Sequence, residues 1–576
     1  MLLQRLSEYA DRLDLPPTLY SEGPVRYIIE LAEDGRLLSP DPTDTADPGN
    51  ARTKRGQRRR VPQVQRSSGI RPLLLADKAD YVLGYAADPA KQARADACHG
   101  AFLSQLERCA DATHEPSVHA ALAFLRNEPL AGLRLDDAFD AGAIVTFRVG
   151  GLFPIDLPTV QQFWADENCA VGEDTVVGQC LVCGRERPVL ERLQGKIKGV
   201  PGGQTSGTSI ISANADAFES YGLSASLVAP TCSSCGERFT KGLNDLLAQP
   251  SSRVVLGGAV FVFWTRKPET EFDFHGLLTQ PNAEEVRRLI ESVKDGAPMP
   301  RVETDKFYSC VLSGSGGRAV IRDWIDTTVG EIAFQLAKWF SKQAIVGPWG
   351  EGPEPLGIYP LAACTVRDAR TELAPPVPRA LLRAAMDGAP VPRGLLAQAL
   401  RRNRAEQTIT RPRASLIKLV LTDAIPEMKE DSMAGLDPEA PWPAYHCGRL
   451  LAVLEQTQRQ ALPGVKATVV DRFFGTASSA PASVFGRLLR GAQPHLAKLE
   501  RDRPGAYVAL QRRYEDVLSH LAGFPRTLTL DEQGLFALGY YHQRAHDRAL
   551  AVQHREANSA AADSEPGDSV SSPIAE

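Results

Sequence analysis

GPWGEGPEPLGIYP, at 347–360, divides this 576-residue chain. Four prolines and four glycines in fourteen residues can continue neither a helix nor a central strand. Before this stretch, strand and helix patterns alternate. The spacing predicts strands over 25–33, 143–149 and 254–264 (VVLGGAVFVFW, read as one buried strand), and strand and turn over 72–84. It also predicts helices over 2–13, 89–126, 159–168 (capped by Thr159), 283–294 and 327–342, and a hairpin over 307–324. After it the apolar spacing is helical, over 378–387, 392–405, 412–423, 443–461, 466–475, 481–499, 504–522 and 531–545.

The expected fold class is therefore α+β and multidomain. A mixed strand/helix N-terminal region over 1–346 carries a zinc-ribbon-like insertion at 178–250. A linker and basic helical region follow over 347–440. An all-α C-terminal helical bundle fills 441–550, and 551–576 reads as a disordered acidic tail.

Hydrophobic residues make up 43% and charged residues 23%, which excludes full-length disorder and a collagen-like fibre. No apolar run approaches the roughly 18 residues of a membrane helix. The first residues alternate apolar and charged and show no secretory apolar core. Six of the ten cysteines are scattered without framework spacing. The expectation is a cytoplasmic protein with reduced thiols and no membrane partner.

CLVCG (180–184) and CSSCG (232–236) are two C-x-x-C-G knuckles. Cys180, Cys183, Cys232 and Cys235 would supply the four thiolates of a closed, structural zinc site. The 48 residues between knuckles exceed the usual spacing, but only the knuckles must converge. The alternative is reduced structural cysteines.

The net charge of −5 argues against a uniformly basic nucleic-acid binder. Its distribution argues the other way. RTKRGQRRRVPQVQR (52–66) holds Arg52, Lys54, Arg55, Arg58, Arg59, Arg60 and Arg66 without one acid. Such a loop neutralises phosphates, while Gln57, Gln63 and Gln65 can both donate to and accept from base edges. A solvated flexible loop is the bland reading. Lys196 and Lys198 introduce a Gly/Ser/Thr-rich stretch whose backbone N–H groups suit close approach to a phosphate backbone. Gln204 and Asn214 there could reach base edges. Between Arg379 and Lys418 nine basic residues face two acids, and between Arg487 and Arg513 seven face two. Arg401, Arg402, Arg404, Arg411, Arg413, Arg487, Arg490, Arg512 and Arg513 are secondary candidates for nucleic-acid contact. A solvated helix face is the alternative. No nucleotide-binding P-loop, zinc-protease or kinase motif is present, and His546-Asp547 is a lone dipeptide read as helix surface.

Several long stretches carry a family resemblance. They are MLLQRLSEYADRLDLPPTLYSEGPVRYIIEL (1–31), RSSGIRPLLLADKADYVLGY (66–85), KIKGVPGGQTSGTSIISANADAFESYG (196–222), RAVIRDW (318–324), FGTASSAPASVFGRLL (474–489) and DEQGLFALGYYHQRA (531–545). Together they resemble the large subunit of the type I-C (Dvulg subtype) CRISPR Cascade surveillance complex. The resemblance implies a non-catalytic subunit. Its partners would be guide RNA, backbone subunits, a subunit holding the guide's 5′ handle, a small subunit and a separate helicase-nuclease. It would recognise the protospacer-adjacent motif (PAM) on double-stranded DNA and promote strand opening, with guide pairing supplying most of the sequence information. It also implies a small-subunit-like C-terminal bundle that an internal start, at Met433 or Met428, could express separately. The zinc knuckles rest on spacing alone. The rival readings are a zinc-ribbon transcription regulator and a metal-dependent nuclease.

Overall fold

The computed structural model describes every residue except 1, 18, 48, 50–52, 65–68, 137, 170–175, 194, 214, 268–272, 295–303 and 564–576. Two compact units emerge: Met1–Ala248 with Gly314–Val320, and Gln249–Ser313 with Ile321–Glu576.

In the first unit, helix α1 (Leu2–Ala10) precedes β1 (Tyr20–Leu31), whose Val25, Tyr27, Ile28, Ile29 and Leu31 are buried. The short β2 (Thr43–Asp44) and the basic β3 (Gln57–Pro62) both pair antiparallel with β1. β4 (Ala76–Lys78) pairs antiparallel with β5 (Ile144–Val149), which runs parallel to β1. A parallel pair needs a long crossover. Here the connection into β5 holds α2 (Ala79–Val82), α3 (Gln92–Thr113), α4 (Pro116–Arg126) and α5 (Pro129–Gly132). The predicted helix over 89–126 is broken because His114 takes a left-handed φ of 55° and Pro116 starts a new helix. Trp164 of α6 (Pro158–Cys169) is fully buried, and its indole Nε1–H donates to the Leu19 carbonyl at 3.0 Å. Thr159 does not cap α6. Pro158 starts that helix and the Thr159 hydroxyl donates to Glu115. A small hairpin, β6 (Val177–Gln179) with β7 (Glu186–Pro188), and helix α7 (Ser233–Ala248) complete the unit.

The second unit opens on a four-stranded sheet ordered β11-β10-β9-β8, from β8 (Arg253–Leu256), β9 (Ala259–Thr265), β10 (Lys306–Ser315) and β11 (Arg318–Thr328), of which the β10–β11 tip, Gly314–Val320, belongs to the first unit. VVLGGAVFVFW is not one strand. Gly257 and Gly258 have φ of 54° and 76° and turn it into the β8–β9 hairpin. α8 (Phe274–Thr279), α9 (Ala283–Lys294) and α10 (Val329–Gln343) follow the sheet pattern, and the Thr328 hydroxyl caps α10 by accepting from Glu331 N–H.

The remaining helices are α11 (Ile358–Ala363), α12 (Ala369–Glu372), α13 (Pro376–Asp387), α14 (Arg393–Glu406), α15 (Arg411–Ala424), α16 (Pro443–Ala461), α17 (Val469–Ala477), α18 (Pro481–Asp502), α19 (Pro504–Ser519) and α20 (Leu530–Asp563). α16 and α20 cross closely. A Cβ on Gly448 would lie 2.0 Å from the Phe536 carbonyl oxygen, and one on Gly539 would lie 2.0 Å from that of Tyr445. The tail reading over 551–576 is corrected in part, since α20 continues to Asp563; 564–576 lie outside the described residues. His546 is exposed as expected, but Asp547 is buried and paired with Arg513 and Gln543. Met428 and Met433 are both buried in this unit's core. Among the described residues no helix is long and apolar enough to cross a membrane.

Candidate metal centre and nucleic-acid interface

The first knuckle sits at the turn of the β6–β7 hairpin. Gly184, with φ of 70°, lets the chain reverse, and its N–H donates to the Cys180 carbonyl at 2.8 Å. The second knuckle opens α7, with Cys232 just before the helix and Cys235 in its first turn. The four Sγ atoms lie within 4.8 Å of one another, and only Cys183 is exposed. Zn–S bonds of about 2.3 Å place tetrahedral sulfurs about 3.8 Å apart, so the donor set fits a divalent thiophilic ion and leaves no open position. Burial pushes the Cys235 thiol up. At Cys180 burial acts in the same sense, but N–H groups of Cys183, Cys232 and Val182 outweigh it and bring the thiol down to about 7.

α7 also builds the neighbouring cleft. The turns after Cys235 carry Glu237, Thr240, Lys241 and Asn244 to the wall of a cleft of about 460 Å³. Gln63 and Val64 after β3, Tyr20 and Ser21 of β1, and Lys196, Lys198 and Ser206 complete it. α7 is held against α1, where a Cβ on Gly242 would meet the Leu6 carbonyl oxygen at 2.7 Å. Lys241 Nζ donates to the Pro16 carbonyl at 3.2 Å and pairs with Glu237 at 3.4 Å. Asn244 donates to the Lys196 carbonyl and accepts from Lys198 N–H, which fixes both lysines beside α7. Burial raises the carboxyl of Glu237 above its ordinary range, although Lys241 opposes this. Of the polar groups expected at the interface, Gln63, Lys196 and Lys198 are thus brought together here. Lys241, Asn244 and Ser21 escaped notice because the sequence does not show α7 facing β1.

The glycine-rich stretch is pinned. Ile197 pairs with Thr208, and Gly203 and Ser209 pair with Gly316 and Arg318 of the hairpin tip. A Cβ on Gly314 would lie 2.1 Å from Gly203 N, so this approach requires glycine. Gln204 is exposed, with its N–H bonded to the Gly316 carbonyl. From the cleft the surface runs outward through Lys196, whose Nζ donates to Ser209 Oγ at 2.8 Å, to Arg318. The Arg318 guanidinium lies 3.6 Å from the Phe218 ring centroid, and Tyr221 nearby in sequence is 99% exposed. These two aromatics were legible only as part of the glycine-rich stretch. Asn214 lies outside the described residues.

Over 57–62 the basic segment is a strand, not a flexible loop, and its three arginines have acids from elsewhere in the chain. Arg58 faces Glu22 at 3.6 Å, and Arg60 pairs with Asp14 at 2.5 Å. Arg59 pairs with Asp156 at 2.7 Å and stacks on Phe153, with its Cζ 3.4 Å from the ring centroid. Exposed pairs of this kind are worth about 0–1 kcal/mol and can be exchanged for phosphate. Gln57, Lys54 and Arg55 are exposed, and the two cations form no ion pair among the described residues. Arg52, Gln65 and Arg66 lie outside them.

The secondary arginines divide into two groups. Arg413 is 5% exposed and committed to Glu406 and to the Cys364 and Thr408 carbonyls, which takes it out of any external interface. Arg402 pairs with Glu406, Arg404 bonds Gln533, Arg411 pairs with Glu354 and Arg513 with Asp547. Arg487 lies over Phe473. Arg401, Arg490 and Arg512 are exposed and unpaired among the described residues.

A four-cysteine cluster and a lysine-lined cleft built on the same helix belong to a mixed α/β protein of two compact units. The family model for CRISPR-associated protein (Cas_Csd1) matches residues 3–547, spanning both units, and the chain belongs to that family. None of the curated proteins matches it.

Proposed function

We propose that this CRISPR-associated protein is the non-catalytic large subunit of a type I-C, RNA-guided Cascade complex, reading the PAM on duplex DNA and promoting strand opening. The observation that carries the reading is the cleft, where Lys196, Lys198 and Lys241 converge from two segments beside Gln63, Asn244 and Ser21. Lys196 and Lys198 beside the Lys241–Glu237 ion pair suit a phosphate backbone, and the Gln63 amide, whose oxygen accepts from the Ser21 hydroxyl, can donate its N–H to a base edge. Arg58, Lys54 and Arg55 would extend the backbone contact, Tyr221 would stack on an opened base, and Arg401, Arg490 and Arg512 would steady a strand elsewhere. Guide RNA, backbone subunits, the 5′-handle subunit, the small subunit and the helicase-nuclease are the partners this reading requires.

A zinc ion on Cys180, Cys183, Cys232 and Cys235, in a ribbon-like insertion, would fix α7 and so hold Lys241 and Asn244 in place. With four protein thiolates the ion would have no position for water or substrate, which argues against the nuclease reading. Expression of the tagged chain with its neighbouring genes and a repeat–spacer array tests the proposal. Guide RNA and partner subunits should co-purify, and the complex should bind target duplex in a manner that depends on a short flanking motif. Binding of one fixed duplex by the chain alone, with no RNA recovered, would favour the transcription regulator instead.

A further inference from the structure

α16 and α20 form a second charged recess, in the second unit. It measures about 490 Å³ and is lined by Arg459 and Glu455 of α16, Arg544, Arg548 and Arg555 of α20, and Trp349 of the preceding loop. The loop is seated tightly, since a Cβ on Gly350 would lie 2.3 Å from Ala549 Cβ. The indole of Trp349 is held at this rim with the residue still 55% exposed.

The charges in the recess do not balance. Glu455 is buried and receives Arg459 at 2.8 Å, Arg544 at 3.5 Å and the Tyr540 hydroxyl at 2.7 Å. Asp547, the other carboxylate of the lining, pairs with Arg513 from outside it at 3.4 Å. Among the described residues Arg548 donates only to the Pro348 carbonyl, at 3.2 Å, and it lies 5.0 Å over the Trp349 ring. Burial first, and then the charge of Arg544, hold its guanidinium below the usual range. Arg555 is exposed and forms no ion pair among the described residues. Among the described residues two guanidinium groups therefore form no ion pair beside an exposed indole, and Arg548 feels Glu455 only at longer range. An anion bound there would supply the charge, and the indole offers a planar partner to a base.

We propose that this recess binds a nucleotide, with its phosphate on Arg548 and Arg555 and its base against Trp349. The site goes beyond the lysine cleft and does not depend on it. The nucleotide could belong to a single strand or be free in solution, and the two sources are separable. Full-length protein carrying Lys196→Ala, Lys198→Ala and Lys241→Ala, which removes competition from the cleft, is titrated with a ten-residue oligothymidylate and with thymidine monophosphate. Tryptophan emission is followed. Saturable quenching is expected. Arg548→Gln with Arg555→Gln should weaken binding about tenfold or more, and Trp349→Phe should abolish the quench. The exposed Arg555→Glu alone should act in the same direction without a change in melting temperature. Quenching by the oligonucleotide alone assigns the site to a strand, and equal quenching by both assigns it to a nucleotide. Unchanged affinity in both arginine variants, or a quench that survives Trp349→Phe, would overturn the proposal.

Discussion

The backbone N–H of Cys232 donates to Cys180 Sγ at 3.4 Å, across 52 positions of sequence. The two knuckles are thus joined directly, and the second one starts the helix that lines the lysine cleft. Freshly purified protein should contain about one zinc per chain. Cys180→Ser should remove it, lower the melting temperature and weaken duplex binding together, because α7 carries Lys241 and Asn244. Metal-free protein from a chelator-free preparation would refute the centre.

Tyr221 has φ of 55° and is 99% exposed, an unfavourable place for an aromatic side chain without a partner. Tyr221→Ala should leave affinity for an intact duplex unchanged. It should weaken binding to a duplex with one unpaired step beside the flanking motif by about 1–3 kcal/mol. Gel-shift titrations of the assembled complex on the two duplexes measure the difference, and equal losses on both would remove Tyr221 from strand opening.

The crossing of α16 on α20 has room for hydrogen alone at Gly448 and Gly539. Gly448→Ala and Gly539→Ala should each destabilise the second unit by about 1–3 kcal/mol through overpacking. Chemical denaturation with near-ultraviolet detection reads this. An unchanged midpoint in both variants would show that the helices can move apart freely.

Lys418 is fully buried, with its ammonium donating to the Ser341, Ala344 and Glu430 carbonyls, and burial lowers it from 10.5 to about 8. The unfolded chain therefore holds this proton more strongly than the folded one. From this group, stability should rise as pH increases from about 8 to about 10.5, and it should be flat below 8, where both states are charged. The difference between wild type and Lys418→Met isolates the effect from other groups titrating in that range. Parallel stability curves for the two proteins would contradict it.

Much of the fold was legible in the chain. The described strands all precede 347–360 and only helices follow it, but the stretch lies inside the second unit, which begins at Gln249, and α11 starts within it. The helices from α13 to α19 follow apolar spacing that their caps and prolines bound. Local spacing could not show pairing partners. Arg58, Arg59 and Arg60 read as unneutralised because Glu22, Asp156 and Asp14 come from distant segments. Arg413 read as a surface cation because the acceptance of its guanidinium by Glu406 and two carbonyls is a tertiary fact. The C-x-x-C-G pairs were visible because each knuckle is local in sequence, and the four cysteines do converge. The cleft was only half visible, since Lys241 and Asn244 follow the second knuckle in a helix whose facing surface no periodicity reveals. The split of VVLGGAVFVFW was available in its Gly-Gly pair, a hairpin signal that the apolar run obscured.

The central claim is that the lysine cleft holds the DNA backbone, and the salt dependence of duplex binding tests it most directly. Wild-type complex and a complex carrying Lys196→Ala, Lys198→Ala and Lys241→Ala are titrated with target duplex across a range of salt concentrations. Each lost phosphate contact should reduce the slope of log affinity against log salt by about 0.9, so the triple variant should lose about two to three units of slope along with affinity. Equal slopes for the two complexes, with guide RNA present in both, would contradict the account.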